Sequence, residues 1–330
     1  MTKLKQITLV LGLVATLLSS CIKENLGDCN IVPVVIKFDY TYNEAYTDLI
    51  SEVTVIDLYA FDSEGILVGH WSDQGTGFIN ELTLTIEPGV YHFVAWGGEV
   101  NSDSYNVTPY TIGVTTKDEL YVMLNRNAGR QLTTKPTNLY HGFLDNYTIN
   151  YGANEAHISL VKNTKNITFV IHGLDTQLPT SAPVGDAASL DIFETLIIGD
   201  NAVHNFDNTF DISSPSEANV TYIPHRRIST ATDLTTEFRV MRLALGAAVR
   251  ANENNTIRLQ LKNTLTGVTM QDLNLIEEII AKHPHIQDNP NEGLVRYSDF
   301  LIEISYTNTP DIAIYVTING WRVRIINTNM

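Results

Sequence analysis

Cysteine is almost missing from this chain of 330 residues, which has two, Cys21 and Cys29. If either is used otherwise, no intramolecular disulfide can form, and stability must come from a packed core. Basic charge is also scarce: 21 Lys and Arg stand against 37 Asp and Glu, and no arginine occurs before Arg126. A chain so acidic repels nucleic acid and anionic headgroups, so nucleic acid is excluded as a partner. No apolar run approaches the roughly 20 residues that a membrane helix needs. Gly-x-Ser-x-Gly, a Walker loop and a dinucleotide fingerprint are all lacking. No enzyme chemistry, cofactor or metal is therefore expected.

What is present begins at the first residues. Lys3 and Lys5 precede an apolar run from Ile7 to Leu18, about a dozen residues and too short to span a bilayer. Leu18-Ser19-Ser20-Cys21 follows directly. A bulky aliphatic, two small residues and a cysteine form the pattern cut by lipoprotein signal peptidase, after diacylglycerol is attached to the thiol. Residues 1–20 are thus expected to be a lipoprotein signal peptide, with acyl chains such as palmitate on Cys21; the alternative is an ordinary secretory signal. Two or three chains anchor stably where one does not. Removing Lys3 and Lys5 leaves 19 basic residues against 37 acidic, a net charge of −18 for residues 21–330.

The remainder reads as strands. Val32, Val34, Ile36, Phe38 and Tyr40 alternate, as do Leu82, Leu84 and Ile86, Ile257, Leu259 and Leu261, and Phe300, Ile302, Ile304 and Tyr306. Period two means one buried face and one wet face. Val53–Phe61, Ile167–His172 and Phe193–Gly199 are uniformly apolar and suit central strands. Thr269 to Lys282 is the one expected helix, with a capping box at Thr269 and Asp272 and a stop at Pro284. Many short strands with turn signals predict a mainly β protein of β-sandwiches. The expected organisation is a lipidated tether at 21–32, an N-terminal domain at 33–163 and a C-terminal domain at 164–330.

Several motifs point to a family. Cys21-Ile22-Lys23-Glu24-Asn25-Leu26-Gly27-Asp28-Cys29 resembles the mature start of fimbrial anchor lipoproteins of Bacteroides-type bacteria. Leu58–Gly65, Leu139-Tyr140-His141-Gly142 and Ile318-Asn319-Gly320-Trp321 resemble later elements of the same family, in the same order. The resemblance implies two transthyretin-like β-sandwich domains in tandem. It also implies an outer-membrane lipoprotein that holds a fimbria, takes part in its assembly and length control, and has fimbrial shaft pilins as partners. Lys23-Glu24 resembles the charged signals that send such lipoproteins to the cell surface. The absence of arginine before Arg126 leaves no arginine-specific cut between the lipid and the first strand, which fits an anchor rather than a shaft pilin.

Other candidates have plainer readings. His283-Pro284-His285 suits a loop after a helix better than a metal site. His225-Arg226-Arg227 suits a surface loop, and Asp62-Ser63-Glu64-Gly65 a hairpin turn rather than a calcium loop. Trp96 suits a core, and Trp71 with Trp96 is the only hint of sugar stacking; a surface glycan-binding lipoprotein is the rival function. At the C-terminus, Ile314, Val316 and Ile318 change phase against Trp321, Val323 and Ile325 across Asn319-Gly320. A two-residue hairpin would pair Ile318 with Trp321, Val316 with Val323 and Ile314 with Ile325; one bulged strand is the alternative. The strand Trp321, Arg322, Val323, Arg324, Ile325 is the candidate pilin-contact segment, by β-strand addition. It could equally complete its own sandwich.

Overall fold

The computed structural model describes residues 31–40, 53–74, 80–178, 187–210, 215–245, 257–306, 313–318 and 321–326. The strands in chain order are β1 (Val32–Asp39), β2 (Val55–Phe61), β3 (Leu67–Gln74), β4 (Glu81–Ile86), β5 (Gly89–Gly97), β6 (Tyr105–Val107), β7 (Tyr121–Leu124) and β8 (Gln131–Leu132). They continue as β9 (Tyr140–Ile149), β10 (Asn154–Ser159), β11 (Val161–Lys162), β12 (Thr164–His172), β13 (Phe193–Gly199), β14 (Val203–Asn205), β15 (Val220–Tyr222) and β16 (Arg226–Ser229). The last six are β17 (Leu234–Met241), β18 (Arg258–Asn263), β19 (Val268–Asn274), β20 (Asp299–Ser305), β21 (Ala313–Ile318) and β22 (Trp321–Ile326). The protein is mainly β, as the alternating patterns require.

In the first sandwich, a three-stranded sheet β10-β1-β4 faces a five-stranded sheet β11-β9-β5-β2-β3. Alternation in β1 sends Val32, Val34, Ile36 and Phe38 inward, where they meet Ile56, Leu58, Phe93, Ala95 and Ile158. Pro88 and the start of β5 do not close a hairpin: β4 and β5 belong to opposite sheets, so the chain arches from one layer to the other. The second sandwich packs β16-β17-β12-β20 against β19-β18-β13-β15-β8. Ile167, Phe169, Ile171, Phe238, Phe300 and Ile302 from one sheet and Phe193, Ile197, Leu259 and Leu261 from the other are all buried in one cluster. The apolar strands β2, β12 and β13 are interior strands of their sheets; β2 is buried on both faces, whereas β12 alternates buried and half-buried residues.

The halves are stitched together by backbone pairing. β8, from the first half, pairs in parallel with β15, while β14, from the second, pairs antiparallel with β7 in a small sheet β14-β7-β6. That small sheet covers the outer face of the five-stranded sheet, so Tyr59, Phe61, Val94 and Trp96 join the apolar cluster of the second sandwich.

The helical expectation needs correction at two points. Residues Val268–Asn274 are a strand, and the helix spans only Leu275–Lys282. The hairpin with β18 wins over the helical spacing: Leu273 sits opposite Leu259, and Gly267, at φ +72°, makes the turn. Asp272 binds Arg258 at 2.9 Å instead of capping, and Asn274 caps the helix by accepting from Glu277 N. Nor is it the single helix: Pro215–Ala218, Pro284–Gln287 and Pro290–Arg296 are also helical. Pro284 stops one helix and opens the next, since a proline at the first position has no intrahelical N–H to lose.

Candidate functional site

Strand register fixes where the chain enters and where it leaves. Val32 opens β1 opposite Ile86, next to the Glu87-Pro88 turn. β10 runs parallel to β1 and starts at Asn154, beside Val34. β9 ends at Ile149, opposite Gly89. The chain therefore enters at the end of the first sandwich formed by the 87–89 and 150–153 turns. At the opposite end, Ser159 lies beside Asp39, Leu160 N donates to Asp39 O, and Lys162 faces Tyr140. β12 leaves from there into the second sandwich. β20 is parallel to β12, starting opposite Asn166 and ending with Ser305 opposite His172, so it carries the chain about 20 Å away from the junction.

The candidate C-terminal segment follows β20, against which the first strand of its hairpin lies. Cys21 lies outside the described residues. Trp321, Arg322, Val323, Arg324 and Ile325 lie in β22, which pairs only with β21 among the described strands. Ile318 is opposite Trp321, Val316 opposite Val323 and Ile314 opposite Ile325, the hairpin register expected from the phase change. The bulged-strand alternative is set aside.

The junction between the halves is built from buried polar groups, of which the sequence reading quoted only His141, as part of a family motif. Asn163 and Asn208 exchange side-chain amide bonds at 2.6 and 3.1 Å. His204 lies beside both and bonds Asn201 O through Nε2 at 3.2 Å. His141 donates from Nε2 to Phe206 O at 2.8 Å. Arg242 donates to Asn208 O. Burial pushes His141 down to about 4 and His204 down to about 3, with the Arg242 guanidinium adding to the effect on both. Burial also lowers Arg242 to about 10. Lys165, wholly buried, donates to Val295 O and Tyr297 O at 2.8 and 2.7 Å and ties the end of the Pro290–Arg296 helix to β12; its burial holds it well below the ordinary lysine range. One signal was readable: His141 follows Leu139-Tyr140 in an apolar run, where a histidine must find a buried partner.

The remaining candidates fall out as follows. Asp62 accepts from Glu64 N and Ile66 N at 2.9 Å, and Gly65 takes φ +80°, which makes a hairpin turn. His283 is buried with its ring tilted against Tyr297 at 4.4 Å, and Pro284 and His285 lie in a short helix rather than a loop. His225-Arg226-Arg227 is not a loop throughout, because Arg226 and Arg227 begin the edge strand β16; Arg226 binds Glu237 and Arg227 binds Phe193 O and Leu190 O. Trp96 is fully buried. Tyr151 is the one exposed aromatic residue among those whose side chains are described, and no second exposed ring lies beside it there. A chain of side chains that the sequence did not announce links Asp57 Oδ1 to His70 Nε2 at 2.9 Å and His70 Nδ1 to the Tyr110 hydroxyl at 3.0 Å. Tyr59 stacks on His70 at 4.4 Å. The chain ties the 108–116 segment to the edge strand β3.

Two sandwiches in tandem, stitched by strand pairing between the halves and ending in a two-stranded hairpin, define the class of protein: a tandem β-sandwich. The family of fimbrillin-A associated anchor proteins Mfa1 and Mfa2 matches residues 26–327, and the chain belongs to it. It is 24% identical over 327 residues to the minor fimbrium anchoring subunit Mfa2 of Porphyromonas gingivalis, covering 93% of this chain and 90% of that one. The crystal structure of that bacterium's fimbrial anchor protein Mfa2 superposes with a TM-score of 0.66 at 20% identity, covering 89% of this chain and 99% of that one. A candidate polysaccharide binding protein of Bacteroides thetaiotaomicron superposes with a TM-score of 0.73 at 24% identity, over 90% and 99% of the two chains. The family is one of fimbrial structural proteins, not of enzymes.

Proposed function

We propose that this protein is an outer-membrane lipoprotein, displayed on the cell surface, that holds a fimbria to the cell and takes part in its assembly and length control. Acyl chains on Cys21 hold residues 21–32 at the membrane, and the domains 33–163 and 164–330 extend from it. Its partner is a fimbrial shaft pilin. The strand Trp321–Ile325 is the segment offered to that pilin by β-strand addition.

The observation that carries the reading is the polarity of the chain within a family of fimbrial anchors. The N-terminal segment joins one end of the first sandwich, whereas the C-terminal hairpin lies against β20, the strand of the second sandwich that runs away from the junction. An anchor needs its two attachments apart in this way. β22 pairs with β21 alone among the described strands, so releasing it breaks a single ladder of backbone pairing. The test is to pull the protein from solubilised membranes and identify what comes with it. A shaft pilin as the main partner is expected; a preparation in which glycan is retained and pilin is absent overturns the reading in favour of glycan binding.

A further inference from the structure

The end of the first sandwich where the chain enters differs chemically from the rest of this acidic molecule. Its two turns, Glu87-Pro88-Gly89 and Asn150-Tyr151-Gly152-Ala153, contain a single charged residue. Tyr151, in the second turn, is 76% exposed, and Ile31, immediately before β1, is 46% exposed. Register places them together, since Val32 pairs with Ile86, Gly89 with Ile149 and Val34 with Asn154. Glu155, the next acid up β10, is neutralised by Lys37 at 2.7 Å. Exposing a tyrosine and an isoleucine at a protein's tip has a cost in water that a lipid interface removes. A tyrosine ring in particular sits stably at headgroup depth, with its hydroxyl wet.

We infer that this end of the first sandwich, through Tyr151 and Ile31, seats on the lipid surface that receives the acyl chains of Cys21. The inference rests on the lipid reading given above. Only ten residues separate Cys21 from Ile31, and ten residues span at most about 35 Å even when fully extended. The nearest large surface to this end is therefore always the bilayer. The acyl chains supply the affinity; the two side chains set the orientation, with β1 rising from the membrane and the second sandwich carried outward. The net negative charge of the rest of the chain keeps other faces off an anionic surface and selects this neutral one.

The test uses the full acylated protein in phosphatidylcholine vesicles, with Cys29→Ser removing the second thiol. A nitroxide is attached at Tyr151→Cys or, as a control, at Leu265→Cys, an exposed apolar position (69%) at a hairpin tip in the second sandwich. Vesicle flotation is read first, then accessibility of the nitroxide to a water-soluble nickel complex. The expected result is flotation of both, with the label at 151 severalfold less accessible than the label at 265. Flotation with equal accessibility overturns the seating and leaves the lipid reading standing. Failure to float overturns the lipid reading and the seating with it. Protection at 151 that follows protein density rather than lipid assigns this end to a second copy and also overturns the seating.

Discussion

His141 and His204 hold the two halves together as neutral, buried imidazoles, and that makes the junction sensitive to acid. Both have pKa values below the ordinary histidine value of 6.5, at about 4 and about 3. The unfolded chain therefore takes up protons first as pH falls, and the stability present above about pH 6.5 declines toward pH 4 and 3. By pH 5 each histidine costs about 2 kcal/mol. Chemical unfolding at pH 7 and pH 5 should show the loss, and His141→Gln, which can still donate to Phe206 O, should reduce it by about 2 kcal/mol. An unchanged pH dependence in that variant contradicts the assignment. A second position is purely steric. Gly173 has φ +65°, and a Cβ there would lie 2.3 Å from Tyr306 O, where β12 is held to the end of β20. Gly173→Ala should destabilise the protein by about 2 kcal/mol or more, read as a lower denaturant midpoint; a midpoint within error of the parent would refute the strain. The apolar run around His141 announced a buried histidine but not its partner, which lies on a segment 65 positions away, and no local pattern encodes that separation.

At the scale of elements, period-two alternation was a reliable guide, since each of β1, β4, β18 and β20 has one face against a core and one against solvent. The hairpin of β21 and β22 was readable for the same reason: the phase change of the apolar residues at Asn319-Gly320 allows one register that keeps them on one face. The helix beginning at Thr269 was misread because Thr269, Asp272 and Leu273 suit a cross-strand ladder with β18 as well as a helical turn, and only the tertiary pairing decides. The arch between β4 and β5 was hidden likewise, since a Pro-Gly turn looks the same whether it joins neighbours or crosses layers. The hairpin carries the prediction at this scale. A chain ending after Gly320 should keep its circular dichroism spectrum, because β22 belongs to no larger sheet among the described strands, and should lose capture of pilin. A folded truncation that retains pilin as the full chain does would rule out strand donation, and one that unfolds would show that the strand completes its own fold.

For the molecule as a whole, the two sandwiches share strands as well as an apolar cluster. β8 extends a sheet of the second sandwich and β14 extends a sheet over the first. Neither half can melt without exposing the other, so the domains 33–163 and 164–330 should unfold in one cooperative calorimetric transition; two resolved transitions would contradict that coupling. Such a junction also suits the proposed role, in which the protein is loaded along its length between lipid and polymer. Membership of the family was legible from the short motifs along the chain, whereas the strand pairing between the halves became visible only in the register. The most direct measurement of the account is to replace Cys21 with alanine in a fimbriated cell and count fimbriae on washed cells and in the medium. The account predicts that fimbriae appear in the medium and are lost from cells, while the unacylated protein is still made. Fimbriae that remain on the cells in parental number would contradict it.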